Sequence, residues 1–576
     1  LITEATTLVR DGCEALAVCF LHAYANSEHE EQAGKILQEA FPAIPVSLSI
    51  NVAREHREYE RTSTTVLDAF IRPVLESYFG EIEGSLRRDG FAGSFHVMRS
   101  GGGAMTLELA ARAPLTTVLS GPAGGIAGTA WIADGAGLSK LLSFDVGGTS
   151  ADICVVEDGA PHHAYEARID HLPMLLRVFD IRTIGAGGGS IASSYGGLLK
   201  VGPKSAGAVP GPAAYGAGGS DATVTDAAVV LGMIGGAEFL DGRMPLDERA
   251  ARDAVARVAS DLGLTVVEAA AGIINVAVAK MVGSLREVTS ERGLDPREFA
   301  LLAFGGAGPL LGPIVAGEMG MATTVIPPSP ALFSAWGMLT SDLQYDVSRS
   351  ALLPLDHPED IDEIRHVLGE LRALAVEVLA ERTGDATGRT ELFNQVDVRY
   401  RGQEYGLSVD VDDEDGTETI GEKFATLHLL RHGHGIPEEM EVVAARVRGI
   451  VVLEKPQLAS SGPGSGAGSG AENSPGLNPE PILTRDVYDF SSRTVRPTPV
   501  YRRSDLGAGV IVTGPVIVTE GTATCVVQGD QEVIVKQNLL LEVRTRANEG
   551  DEASPAAQAS AAAQAAQAVQ ESGARD

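Results

Sequence analysis

The sequence predicts an α/β protein of several domains. Three observations carry that expectation. The chain has 576 residues, which at about 150 residues per domain leaves room for three or four. Around residues 144–150 and 303–312, a buried apolar run ends in a glycine turn, and the second turn opens a helix. The stretch 221–300 is helical in its spacing, whereas 482–545 is cut into short β runs by the turn signals TGP, EGT and QGD.

The elements follow in order. Residues 13–20 (CEALAVCF) read as a helix end running into a buried strand. Residues 29–40 read as a helix, with Ala33, Ile36, Leu37 and Ala40 at helical spacing. Residues 64–88 form a long amphipathic helix that Pro73 should kink or split. LLSFDVGGTSADICVVEDG, 141–159, is a β-hairpin whose turn is shaped to hold something. Residues 180–220, dense in Gly, Pro, Ala and Ser, are loops packed around a site. The apolar stretch 264–283 carries Glu268, Asn275 and Lys280 and reads as a buried helix rather than a membrane span. A helix is expected over 359–383 and a strand-rich α+β module over 391–455. QLASSGPGSGAGSGAENSPG, 457–476, is a flexible Gly/Ser linker, and the Ala/Gln-rich residues 547–576 form a tail without fixed structure.

Composition narrows the class. The 44% apolar content suffices for sizeable cores. The net charge of −32 argues against a nucleic-acid footprint, which needs a basic surface. It favours a soluble intracellular protein, expected in the cytoplasm. Cys13, Cys19, Cys154 and Cys525 form no CxxC pair, so neither a disulfide framework nor a zinc ribbon is indicated. There are 68 glycines, above the roughly 7% of average chains, so many backbone segments approach each other or a ligand closely.

Four glycine-rich segments could carry chemistry. In Asp145-Val146-Gly147-Gly148-Thr149-Ser150, followed by Asp152, a strand delivers a carboxylate and two glycines open the backbone. Their N–H groups can face a phosphate, Thr149 and Ser150 add hydroxyls, and Asp145 can hold Mg²⁺. The plain alternative is an ordinary hairpin turn. Gly185-Ala186-Gly187-Gly188-Gly189-Ser190 reads as a second cradle or as a packing loop. Phe304-Gly305-Gly306-Ala307-Gly308-Pro309 suits a nucleotide's sugar or base, or is a tight strand-to-helix turn. Ser120-Gly121-Pro122-Ala123-Gly124-Gly125 resembles another helix start near a ligand. No GxGxxG, GxxxxGK[ST] or GxSxG pattern is present, which disfavours a Rossmann site, a P-loop and a serine-hydrolase elbow. His428, His432 and His434 have metal-like spacing but no acidic or cysteine partner in register, so a metal there is disfavoured.

Taken together, LHAYANSEHE, REYERTSTTV, SGPAGGIAG, DVGGTSADI, TIGAGGGSIA, GGLLKVGPKSAGA, TVTDAAVVLG, ERGLDPREFALLAFGGAGPL and YRGQEYGLSV resemble the hydantoinase A/oxoprolinase family over residues 7 to about 545. The resemblance implies an actin/sugar-kinase/heat-shock-protein-like ATPase core of two lobes, with α+β and small C-terminal β modules. It divides the chain into the remainder of an N-terminal lobe (1–138), an ATPase-like core (139–350), an α+β module (351–456), a linker (457–481), a β domain (482–545) and a tail (546–576). It implies ATP and Mg²⁺, a small cyclic-amide substrate such as 5-oxoproline or N-methylhydantoin, and a hydantoinase B-type partner subunit in a hetero-oligomer. Neither nucleic acid nor membrane is expected as a partner.

By the resemblance, Gly147, Gly148, Thr149 and Ser150 form a phosphate-binding turn. Gly185, Gly187, Gly188, Gly189 and Ser190 line the cleft, and Gly305, Gly306 and Gly308 contact the adenosine side. Asp145 is the first candidate for the Mg²⁺ ligand or catalytic carboxylate. Asp180 and Asp226 follow, each equally readable as a cap or structural acceptor. The family's opening DxGGTxTD-type loop has no counterpart before Asp145, and the chain begins at Leu1 inside a structured segment, so a truncated N-terminus is expected. Many members have His, Asp, Cys and His where this chain has Arg182, Val209, Ala214 and Leu311. That puts a transition-metal site and the exact substrate in question. Three functions stay open: an ATP-dependent cyclic-amide hydrolase subunit, an ATP-dependent ketone carboxylase subunit, and a nucleotide-binding partner that has lost catalysis.

Overall fold

The computed structural model describes residues 1–237, 239–382, 388–404, 406–456 and 479–546. Nearly all of the expected linker and tail lies outside the described residues. Near the N-terminus, β1 (Leu16–Val18) pairs in parallel with β2 (Val46–Leu48). Helix α1 (Glu28–Ala40) lays Ala33 and Leu37 on this pair, as its spacing requires. Helix α2 (Glu58–Arg88) runs unbroken across Pro73, so of the expected kink or split the split does not occur. Arg72 braces that point: its guanidinium reaches Asp68, Glu76, Ser47 and the carbonyls of Ala111 and Arg112. These contacts hold both flanks of the helix where the proline removes one backbone donor.

The expected hairpin is present as β3 (Lys140–Val146) and β4 (Ala151–Glu157), flanked by β5 (Arg182–Ile184). A second hairpin, β6 (Ser190–Tyr195) with β7 (Leu198–Ser205), lies beside it in the chain. Helices α3 (Val224–Val230), α4 (Glu248–Leu262) and α5 (Val266–Ser290) follow. Helix α5 is apolar and long enough to cross a membrane, yet its Ala269, Ile273, Ala277, Met281 and Leu285 are buried in the main core. Strand β8 (Ala300–Phe304) then leads into α6 (Gly308–Met319) and β9 (Thr323–Ile326).

Strands β3, β8 and β9 are parallel neighbours, the arrangement that helical crossovers produce. The two glycine turns therefore leave adjacent strands of one sheet, with Asp145 paired to Phe304. A six-stranded sheet contains β10 (Leu343–Pro354), β11 (Arg389–Tyr400), β12 (Leu407–Val411) and β13 (Met440–Val452). Helices α7 (Asp360–Arg382) and α8 (Thr417–His432) cover it around a separate core of Ile364, Leu371, Val396, Val398 and Phe424.

The C-terminal region supplies β14 (Leu483–Asp489), β15 (Thr494–Arg502), β16 (Ile511–Thr513), β17 (Val516–Glu520), β18 (Ala523–Val527), β19 (Gln531–Val535) and β20 (Leu541–Thr545). Four of these form their own sheet, β14–β15–β17–β18. The others continue the central sheet, in the order β5–β4–β3–β8–β9–β20–β19–β16. Val516, Ile517, Val533 and Val543 share one core with Phe144 and Leu301.

Candidate functional site

Because β3 and β8 are parallel, their carboxyl ends open side by side, and Gly147 follows one and Gly305 the other. The crevice outside the carboxyl ends of parallel strands is a common place for a ligand. The turn 147–150 closes with Gly147 N–H donating to the Ser150 carbonyl at 3.1 Å. It exposes Gly148 and Thr149, and a Cβ on Gly148 would meet nothing within 4 Å. Across the crevice, Ala307 N–H donates to the Val146 carbonyl at 2.9 Å and stitches the start of α6 to the end of β3. Helix α6 has no side-chain cap, and Gly306 beside its start is exposed with open space where a Cβ would be. The first turn of such a helix leaves N–H donors and the positive end of its dipole available to an anion.

Asp145 sits beneath this opening. Its Oδ2 accepts from Ser334 Oγ at 3.0 Å. Its Oδ1 lies against Gly305, where a Cβ would come within 2.4 Å and where φ is +81°. Only glycine fits there, both for space and for backbone conformation. Burial pushes the Asp145 carboxyl up to about 6, the Ser334 hydrogen bond opposes this, and the charge of Asp152 adds to it. Asp152 is the cross-strand partner of Asp145 on β4. Burial raises its carboxyl as well, against the Thr183 hydroxyl that donates to it at 2.5 Å. Two such carboxylates beside an open glycine turn suit Mg²⁺, which takes one or two carboxylates together with phosphate oxygens and water.

Of its two readings, a second cradle or a packing loop, the loop 185–190 takes the second. Gly188 and Gly189 donate their N–H groups to the Gly147 and Gly148 carbonyls at 3.0 and 2.6 Å. Gly187 N–H donates to Ser190 Oγ at 2.9 Å, and Ser190 is fully buried. A Cβ on Gly187 would lie 2.7 Å from the Gly147 carbonyl oxygen, and one on Gly189 2.9 Å from that of Gly148. These glycines let two backbones touch, and their amides are already used. The loop is a buttress under the turn 147–150. Gly185 is exposed beside Pro203, and Gly308 is buried where α6 presses on β8.

Asp226 is corrected from catalytic candidate to cap. It is fully buried and accepts from Ala213 N, Ala214 N, Thr223 N and Thr223 Oγ1 at 2.7 to 3.2 Å. These four donors occupy its lone pairs and tie the start of α3 to residues 213–214. Asp180 is paired with Arg292 and lies off the turn. Strand β5 sets Ile184 opposite Ala151 and Arg182 opposite Ile153, so Asp180 is carried further away. Among the positions expected to have lost metal ligands, Ala214 and Leu311 are core residues, Val209 is exposed, and Arg182 pairs with Glu287. Among the described residues, no group of three or more His, Cys, Asp or Glu side chains could hold a metal. His428 is buried, with Nδ1 3.0 Å from the His434 carbonyl oxygen.

Ser334 was not foreseen, and its contact with Asp145 spans 189 residues. Asp152 was visible in the motif itself, as the acidic residue just after the turn.

The hydantoinase/oxoprolinase family model matches residues 61–347, a span that contains every part of this crevice. The caprolactamase subunit alpha of Pseudomonas jessenii is 30% identical over 522 residues, covering 89% of this chain and 74% of that protein. The chain belongs to the hydantoinase/oxoprolinase family. The crystal structure of the ATP-dependent caprolactamase from Pseudomonas jessenii superposes with a TM-score of 0.81 at 29% identity, over 95% of this chain and 79% of that one. The nucleotide-free structure of acetone carboxylase, an enzyme of ATP-dependent acetone carboxylation, superposes with a TM-score of 0.75 at 25% identity. It covers 95% of this chain and 78% of the other. The family therefore includes ATP-dependent enzymes of two reaction types on one mixed α/β architecture.

Proposed function

We propose that this chain is the ATP-using subunit of a cyclic-amide hydrolase, with an actin-like ATPase core centred on the crevice between β3 and β8. The carrying observation is the partly buried Asp145–Asp152 pair beneath an exposed glycine turn that adjoins an uncapped helix start. The turn at Gly148 and Thr149 and the start of α6 would receive the phosphates through backbone N–H groups, and Gly306 leaves room for the nucleoside. The Asp145–Asp152 pair would take Mg²⁺, and Ser334 holds the Asp145 carboxylate in its orientation.

A lactam carbonyl is a poor electrophile. Phosphorylation of the amide oxygen by bound ATP would let water add to the carbonyl carbon; the C–N bond would then break to release the ring amine, and a second water would cleave the resulting acyl phosphate to carboxylate and inorganic phosphate. The chain's own contribution is positioning and charge stabilisation by fixed donors, which need not reorganise during the reaction. The turn keeps its shape because the loop 187–189 is bonded to its carbonyls from below. The relative's name as a subunit supports a hetero-oligomer, and we propose a hydantoinase B-type partner for it.

The likeness to acetone carboxylase favours a second reading, an ATP-dependent ketone carboxylase subunit with the same nucleotide crevice. One experiment separates the two. ATP hydrolysis with Mg²⁺ is measured in the presence of the partner subunit, with lactams, hydantoins and simple ketones, each with and without bicarbonate. Stimulation by a cyclic amide without bicarbonate is the expected result. Stimulation only by a ketone with bicarbonate replaces the hydrolase by the carboxylase. Nucleotide binding without any stimulation leaves a binding partner that has lost catalysis.

A further inference from the structure

A cavity of about 680 Å³ lies between the N-terminal region and the six-stranded sheet, and no residue of the glycine turn or of α6 lines it. Six arginines, Arg72, Arg99, Arg112, Arg177, Arg446 and Arg448, reach its wall. Four are neutralised, Arg72 by Asp68 at 2.6 Å and Arg112 by Glu108 at 2.9 Å among them. Arg446 is bound by Glu55 at 2.8 Å and by Asp397 at 2.7 Å. Arg99 is bound by Asp346 at 2.5 Å.

The other two are not. Among the described residues, Arg177 has no carboxylate partner, and its Nη1 donates only to the Gly101 carbonyl at 3.2 Å. Arg448 lies over the Phe393 ring, 4.8 Å from its centroid, and its buried Nε has no hydrogen-bond acceptor. Both guanidinia act on the same neighbours. With Arg99 they hold the Asp346 carboxyl far below the usual carboxylate range. Burial first, then Arg177 and Arg448, push the His163 imidazole down to about 3, so it adds no positive charge. Three guanidinia thus face a single carboxylate. A buried donor left unpaired costs stability unless a ligand satisfies it. The rest of the wall includes Met105, Leu109, Leu175, Val347 and Phe393, which ask for a carbon body. The volume is that of an ordinary small-molecule site.

We propose that this cavity binds a small organic carboxylate, with Arg177 and Arg448 as the oxyanion clamp and the apolar wall around its carbon chain. The planar guanidinium fork matches a carboxylate in two-point contact. The site is independent of the nucleotide reading, since it shares no residue with that crevice.

The test is calorimetric titration of the whole chain with hexanoate and benzoate, without nucleotide, with inorganic phosphate and hexylammonium for comparison. Saturable binding of the carboxylates is expected, with hexylammonium silent. Arg448→Leu and Arg177→Leu should each weaken it at least tenfold. Arg448→Lys keeps the charge without the fork and should still weaken it severalfold. Asp145→Asn should leave carboxylate binding unchanged. The absence of carboxylate binding by the unmodified chain overturns the proposal. Phosphate binding as tight as hexanoate, or arginine variants that bind as well as the unmodified chain, overturn it too.

Discussion

At Asp145 the needs of the proposed site and of the fold oppose each other. Burial and the nearby Asp152 raise its carboxyl from 3.8 to about 6, so at neutral pH the folded chain holds an ionised group in an environment that disfavours it. Between these two values the native state binds more protons than the unfolded state. Stability from this group is therefore greatest at low pH and falls as pH rises towards 6. Asp145→Asn removes that burden and keeps an acceptor for Ser334. The variant should be about 2 to 3 kcal/mol more stable than the unmodified chain at pH 8 and equal to it near pH 4, as read from urea midpoints at the two pH values. Its substrate-stimulated ATPase should fall by about 100-fold or more. Asp226 behaves oppositely. Asp226→Ala leaves four buried donors around one vanished carboxylate, and should cost about 3 kcal/mol or more in thermal unfolding. In the sequence both are acidic residues near small residues. Only their hydrogen-bond partners separate a site carboxylate from a cap.

Glycine-rich segments look alike in one dimension, and the structure divides them by what the missing Cβ makes room for. At Gly148 the space is open, whereas at Gly187 it is filled by the Gly147 carbonyl at 2.7 Å. Gly148→Ala should stay within about 0.5 kcal/mol of the unmodified stability. Gly187→Ala should lose about 1 to 3 kcal/mol by overpacking and weaken nucleotide binding by displacing the turn. Melting curves and nucleotide titrations of the two variants check this contrast. The strand–turn–helix at 300–319 and the β3–β4 hairpin were legible because apolar runs and turn residues announce them locally. The continuity of α2 through Pro73 was not, because the contacts of Arg72 come from residues far along the chain.

The C-terminal strands show the same limit for the whole molecule. Their alternating pattern marks them as strands, but pattern does not say which sheet they join. Strand β20 pairs with β9, running from Thr323 opposite Arg544 to Ile326 opposite Leu541, and so extends the sheet that carries the crevice. A chain ending at residue 456 would expose the β9 edge and strip Val516, Ile517, Val533 and Val543 from the shared core. It should give no soluble folded protein, as judged by circular dichroism and size-exclusion chromatography. A cooperatively folded product would show instead that the C-terminal strands are a separable domain.

By itself the sequence determined the class, the family, the order of strands and helices and the two glycine turns, since each depends on local periodicity or a short contiguous motif. Tertiary structure decided the rest. It set both turns on adjacent strands of one sheet, made the loop 185–190 a buttress, brought Ser334 to Asp145 and left Arg177 and Arg448 without carboxylate partners among the described residues. These outcomes depend on contacts between distant segments and on which buried groups find partners, and no local pattern encodes either.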